Sequence, residues 1–168
     1  MNTAVNILDT TLRDGAQSAA VSYTVKDKLK ILDILDELGI GFAEAGAPAF
    51  IEKDRELFEI LKTGPSRFSS LKPVAFVSTC RGGINAADDP SLRETVRLAP
   101  EYISIYGKSS ISHVLSVIKT TPQENRRMIS ESIAFCRSAG KRVIFEAEHF
   151  FDGFRLDREY ALDTLVSA

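Results

Sequence analysis

The 168 residues contain no tryptophan and only two cysteines, two methionines and two histidines. Two thiols, Cys80 and Cys136, exclude a disulfide framework and a four-thiolate metal site. Such usage fits a reducing compartment, so a cytoplasmic setting is expected. His113 and His149 form neither a His-x-His nor a His-x-x-x-His pair. A metal site built from this chain alone would be carboxylate-heavy and incomplete. Neither sign of charge is in excess: 21 basic and 23 acidic residues leave a formal charge of −2. That removes the electrostatic case for nucleic-acid binding or polybasic membrane attachment. No apolar run approaches the roughly 20 residues that span a bilayer. Met1-Asn2-Thr3-Ala4-Val5 lacks the basic segment and long apolar stretch of a signal peptide.

What is present is ordinary globular composition, 44% hydrophobic and 26% charged. The length suits one domain with a sizeable core. Short β-leaning runs begin near residues 5, 40, 74, 102 and 142. Between them lie stretches of helical periodicity, such as Leu29, Ile31, Leu32, Leu35 and Leu38. Thr24 with Asp27 predicts a capping box, Asp89-Pro90 predicts a helix start, and Thr121-Pro122-Gln123-Glu124 predicts another. A final helix is expected from about Asp157. The strand starts repeat about every 34 residues, the size of a βα unit. Strict alternation predicts a parallel sheet with crossover helices. An open doubly wound sheet fits, and so does part of a (β/α)₈ barrel. A whole barrel takes about 250 residues, so five units match its first five-eighths. Leu165-Val166-Ser167-Ala168 ends inside an amphipathic pattern, which agrees with the second reading.

In parallel α/β folds the chemistry gathers at the carboxyl ends of the strands. After the first run comes Asp9-Thr10-Thr11-Leu12-Arg13-Asp14-Gly15-Ala16-Gln17. Its carboxylate could hold a divalent cation and its guanidinium could steady a developing oxyanion. After the second, Glu44 sits in an apolar strand end and needs a partner, for which Arg13 is the candidate. After the third come Cys80, Arg81 and a double glycine, a weak signal. After the fourth come Lys108 and His113. After the fifth, Glu146 and Glu148 share one face of the strand beside His149. Two carboxylates and an imidazole at a strand end are costly unless they bind something.

The opening motif resembles the signature of the family of 2-isopropylmalate, homocitrate and citramalate synthases, which also includes the hydroxymethylglutaryl-CoA lyases (the DRE-TIM metallolyases). Tyr106-Gly107-Lys108-Ser109, His113-Val114, the segment from Thr121 to Ile129, Ala147-Glu148-His149-Phe150-Phe151-Asp152-Gly153 and Glu159-Tyr160-Ala161-Leu162 are similar to the citramalate synthase branch. The resemblance implies a (β/α)₈ (TIM) barrel of which residues 1–168 are the N-terminal part. It implies a Claisen-type condensation of acetyl-CoA with a 2-oxo acid, pyruvate in this branch, on the route to isoleucine. It also implies a divalent metal (Mg, Mn or Zn) and, for the full-length enzyme, a homodimer. By motif position, Asp14 would be the metal ligand, Arg13 the stabiliser of the alkoxide or enolate, and Glu148 the group beside the acetyl methyl. Gln17, Glu44 and His113 would orient substrate or hold Arg13. The chain departs from the branch at Ala47, Ser110, Tyr106 and Glu146. The family's His-x-His pair on strand seven, its strand six and its C-terminal regulatory domain are not in this sequence. The 168 residues alone are therefore expected to be inactive. The competing readings are a 2-isopropylmalate or homocitrate synthase, a C–C lyase of the same superfamily, and a non-enzymatic, self-associating half-barrel with unpaired sheet edges.

Overall fold

The computed structural model describes residues 5–64 and 67–168. Five strands form one parallel sheet in the order β1-β2-β3-β4-β5: Leu8–Asp9, Phe42–Gly46, Lys72–Ser78, Tyr102–Lys108 and Arg142–Glu148. Strand order equal to sequence order marks the curl of a barrel. A doubly wound sheet would reverse direction partway. The first strand is shorter and later than the expected run from Val5 to Leu8. It covers only Leu8 and Asp9, which pair with Phe42 and Ala43.

The connecting helices are α1 (Val25–Glu37), α2 (Glu52–Thr63), α3 (Pro90–Leu98), α4 (Ile111–Ser116) and α5 (Pro122–Ser138). After β5 come α6 (Phe150–Leu156) and α7 (Arg158–Ser167). Their starts follow local chemistry. Thr24 and Asp27 close a reciprocal capping box on α1. Asp89 accepts from the backbone of Ser91 and Leu92 with Pro90 in the first turn of α3. Thr121 caps α5 through the Glu124 amide. The Glu124 carboxylate instead reaches the Gly83 amide at 2.7 Å, which fastens the loop after β3. The sequence periodicity missed α6, which is only two turns long.

Alternation along the strands separates two faces. Ala43, Ala45, Ala75, Val77, Ile103 and Ile105 face the helices and join Leu32, Leu57, Phe58, Leu92 and Ile129 in the core. Phe42, Glu44, Phe76, Ser104, Tyr106, Glu146 and Glu148 occupy the opposite set of positions, the concave face. The edge strand β5 is half-buried along almost its whole length, unlike β2 and β4.

Candidate active site

The loop after β1 turns back on itself because the amides of Arg13, Asp14 and Gly15 all converge on the Thr10 carbonyl. That turn throws the Arg13 side chain across the concave face. Its Nε donates to Glu44 Oε2 at 2.7 Å, and its Nη1 donates to Asp14 Oδ1 at 3.0 Å. Its Nη2 lies 3.6 Å from Glu146 Oε2. The guanidinium also lies 3.9 Å above the Phe76 ring, within cation–π range. Phe76 in turn stacks on Tyr106 with ring centres 5.0 Å apart and 11° between planes. One arginine thus meets three carboxylates from three strand ends.

Glu44 has no solvent exposure. Its Oε1, the oxygen that Arg13 leaves free, has no hydrogen-bond partner. Burial, and then the neighbouring Glu146, push its carboxyl up to about 8 despite the opposing pull of Arg13. Glu44 is therefore held toward its neutral form. The positive charge of Arg13 is then not fully cancelled by it.

At β5, Glu146 is tied to the Ser104 hydroxyl and Glu148 to the Lys108 ammonium. His149 Nε2 stands 3.9 Å from the other Glu148 oxygen. His149 has a left-handed backbone, φ 57°, and starts α6. That conformation swings its ring off the strand and onto His113, with centroids 4.2 Å apart. The chain's two histidines therefore touch. Arg13, Asp14, Gln17, Phe76, Tyr106, Lys108, Glu146 and Glu148 line one open groove of ≈ 480 Å³ at the carboxyl ends of the strands.

Of the residues singled out by sequence, Arg13, Asp14, Gln17 and Glu148 meet in this groove, and Glu44 lies beneath it against Arg13. His113 lies to one side on α4, against His149. Sequence reasoning missed Phe76 and Ser104, whose strand positions become meaningful only once registers are known. Asp14 is 63% exposed and its Oδ1 is taken by Arg13. Among the described residues no three His, Cys, Asp or Glu side chains gather to hold a metal ion.

The HMGL-like family model matches residues 4–165. The chain belongs to the HMGL-like family. It is 43% identical over 166 residues to an (R)-citramalate synthase of Synechocystis sp., covering 99% of this chain and 30% of that enzyme. It is 39% identical over 165 residues to an (R)-citramalate synthase of Sulfolobus acidocaldarius, covering 98% of this chain and 31% of that enzyme. This HMGL-like chain thus spans about a third of the length of these relatives. The fold is similar to that of an HMG-CoA lyase from Bacillus subtilis, with a TM-score of 0.65 at 17% identity over 95% of this chain and 55% of the other. Five parallel strands with their helices match part of that barrel. Among the described residues, no helix is long and apolar enough to cross a membrane.

Proposed function

We propose that this HMGL-like chain carries the acceptor-side half of an acyltransferase site that condenses acetyl-CoA with a 2-oxo acid, pyruvate in the first instance, to give (R)-citramalate. The names of the relatives support the reaction class. The observation that carries the reading for this chain is the Arg13 guanidinium, held on three carboxylates and an aromatic ring at the mouth of the half-barrel. A cation fixed in that way stabilises charge that develops on an oxygen without reorganising during the step.

In this reading Arg13 steadies the enolate or alkoxide oxygen. Glu44, held toward its neutral form, anchors Nε while neutralising less of the guanidinium charge than a full carboxylate would. Glu148 helps take the proton from the acetyl methyl group, and Lys108 fixes one of its oxygens. Gln17 orients the 2-oxo acid from the groove wall. His113 acts on that orientation through His149. Asp14 is this chain's single contribution to a divalent-metal site (Mg, Mn or Zn) whose other ligands lie outside the 168 residues. The metal supplies Lewis-acid polarisation of the ketone. Residues 1–168 are the N-terminal part of a catalytic barrel that acts as a homodimer in the cytoplasm, and by themselves they turn over no substrate.

The test is an assay of free CoA thiol with acetyl-CoA and pyruvate. It is run on the 168-residue chain and on a protein of the relatives' length that contains it. Release by the long form alone supports the reading. Release by the short chain would refute its inactivity. Cleavage of 3-hydroxy-3-methylglutaryl-CoA by the long form, without condensation, would replace the synthase with a lyase.

A further inference from the structure

A lysine lies buried beneath the Arg13–Glu44 pair. Lys28, on α1, is only 5% exposed, and Asp54, on α2, only 2%. The ammonium has three donors, and each has an acceptor. Nζ donates to the Leu12 carbonyl at 2.9 Å, to the Ala45 carbonyl at 3.0 Å and to Asp54 Oδ1 at 2.5 Å. Asp54 spends its second oxygen on the Ala47 amide at 2.8 Å. The chain is shaped for this contact. Gly46 has φ 149°, a conformation that favours glycine, and a Cβ there would collide with the Asp54 carboxylate. The register of β2 against β3 also shifts between Glu44 and Gly46.

The bonded groups are the immediate neighbours of the site. Leu12 precedes Arg13, and Ala45 follows Glu44. The β1–β2 ladder stops at Asp9 and Ala43, so beyond it the loop after β1 and the end of β2 are joined by the Arg13–Glu44 side-chain bond and by this ammonium. Of the two, the ammonium holds main chain on both sides.

We propose that Lys28 and Asp54 are positioning residues that fix the Arg13–Glu44 hydrogen bond by clamping the backbone on either side of it. Every donor of the Lys28 ammonium and both oxygens of Asp54 are spent on these bonds, so the pair acts through the backbone it holds. It sets where the guanidinium can sit. A buried ion pair adds little net stability on its own, since desolvation offsets attraction, but it specifies one geometry when every lone pair and proton is used. The catalytic consequence rests on the acyltransfer reading. The geometric claim does not.

The experiment follows the arginine Nε–H signals of the 15N-labelled 168-residue chain by NMR hydrogen exchange. Arg67 Nε, bound to Asp33 at 2.6 Å on the α1 surface, serves as an internal control. In Lys28→Met the Arg13 Nε–H is expected to exchange about tenfold faster or more, as befits loss of a hydrogen bond to a charged group, with Arg67 unchanged. Asp54→Asn preserves volume while removing one of the acceptors, and the same outcome is expected of it if Lys28→Met does not fold. Unchanged Arg13 protection in a folded variant would overturn the proposal. So would a parallel loss at Arg13 and Arg67, which would mark a general stability role. The long form is assayed alongside. No thiol release from its unsubstituted version counts against the acyltransfer reading and leaves the exchange result to judge the clamp.

Discussion

Arg13 and Glu44 stand 31 positions apart in the chain and share a 2.7 Å hydrogen bond from Nε to Oε2. The bond is unusual in kind. The glutamate is fully buried and held toward its neutral form, so the arginine gains an anchor and keeps its charge. Replacing Arg13 by Lys retains a cation but loses the planar fork that reaches Glu44, Asp14 and Glu146 together. In the long form, kcat for thiol release is expected to fall about 10²–10³-fold in Arg13→Lys, on the scale of removing one oxyanion donor. A drop confined to KM would instead assign Arg13 to ground-state binding.

Glu44 also makes stability depend on pH. Its folded pKa is raised from 4.5 to about 8, so the folded chain binds the extra proton between those values. Unfolding then releases that proton, and the Glu44 contribution is present below about 4.5 and lost as pH rises to about 8. Denaturant midpoints of the 168-residue chain are expected to decline across this interval. Glu44→Gln, which cannot ionise, is expected to flatten the decline. An identical slope in the variant would assign the pH dependence elsewhere.

Glu148 is expected to matter to turnover and little to folding. It is half-buried, and its ties are Lys108 and a distant His149 contact. Glu148→Gln in the long form is expected to lower kcat about 10²–10⁴-fold, the range of a positioned acid–base group, with acetyl-CoA affinity preserved. Isothermal titration alongside initial rates separates the two quantities.

Gly153 is a packing position. A Cβ there would meet the Ser109 carbonyl and the Ser110 backbone, where α6 crosses the loop after β4. Gly153→Ala is expected to cost about 1–3 kcal/mol, because the contacting atoms are main chain and cannot rotate away. Thermal melts of the 168-residue chain report it. A neutral substitution would mean that α6 is free to shift.

Much of the architecture was legible before the structure. Thr24–Asp27 and Asp89-Pro90 cap their helices as their chemistry dictates. The repeat of β runs separates into five strands because each buried run is short and β-rich. The Arg13 motif and the Glu146–Glu148 pair were visible because charges are conspicuous at the ends of apolar strands. Other parts were not. Helix α6 is too short for periodicity to register, and the left-handed residue that precedes it, His149, is a tertiary choice. Phe76 reads as one more core aromatic until register places it under Arg13. Lys28 reads as a solvated helix lysine, like Lys26 and Lys30 beside it. Its burial depends on Asp54, Leu12 and Ala45, which meet only in three dimensions.

The measurement that bears most directly on the account is CoA thiol release, with acetyl-CoA and pyruvate, by a protein of the relatives' length carrying these residues. Pyruvate-dependent release that collapses in Arg13→Lys, while the variant keeps its fold, is the expected result. Absence of release with every 2-oxo acid offered, from a folded and metal-supplied protein, would contradict it.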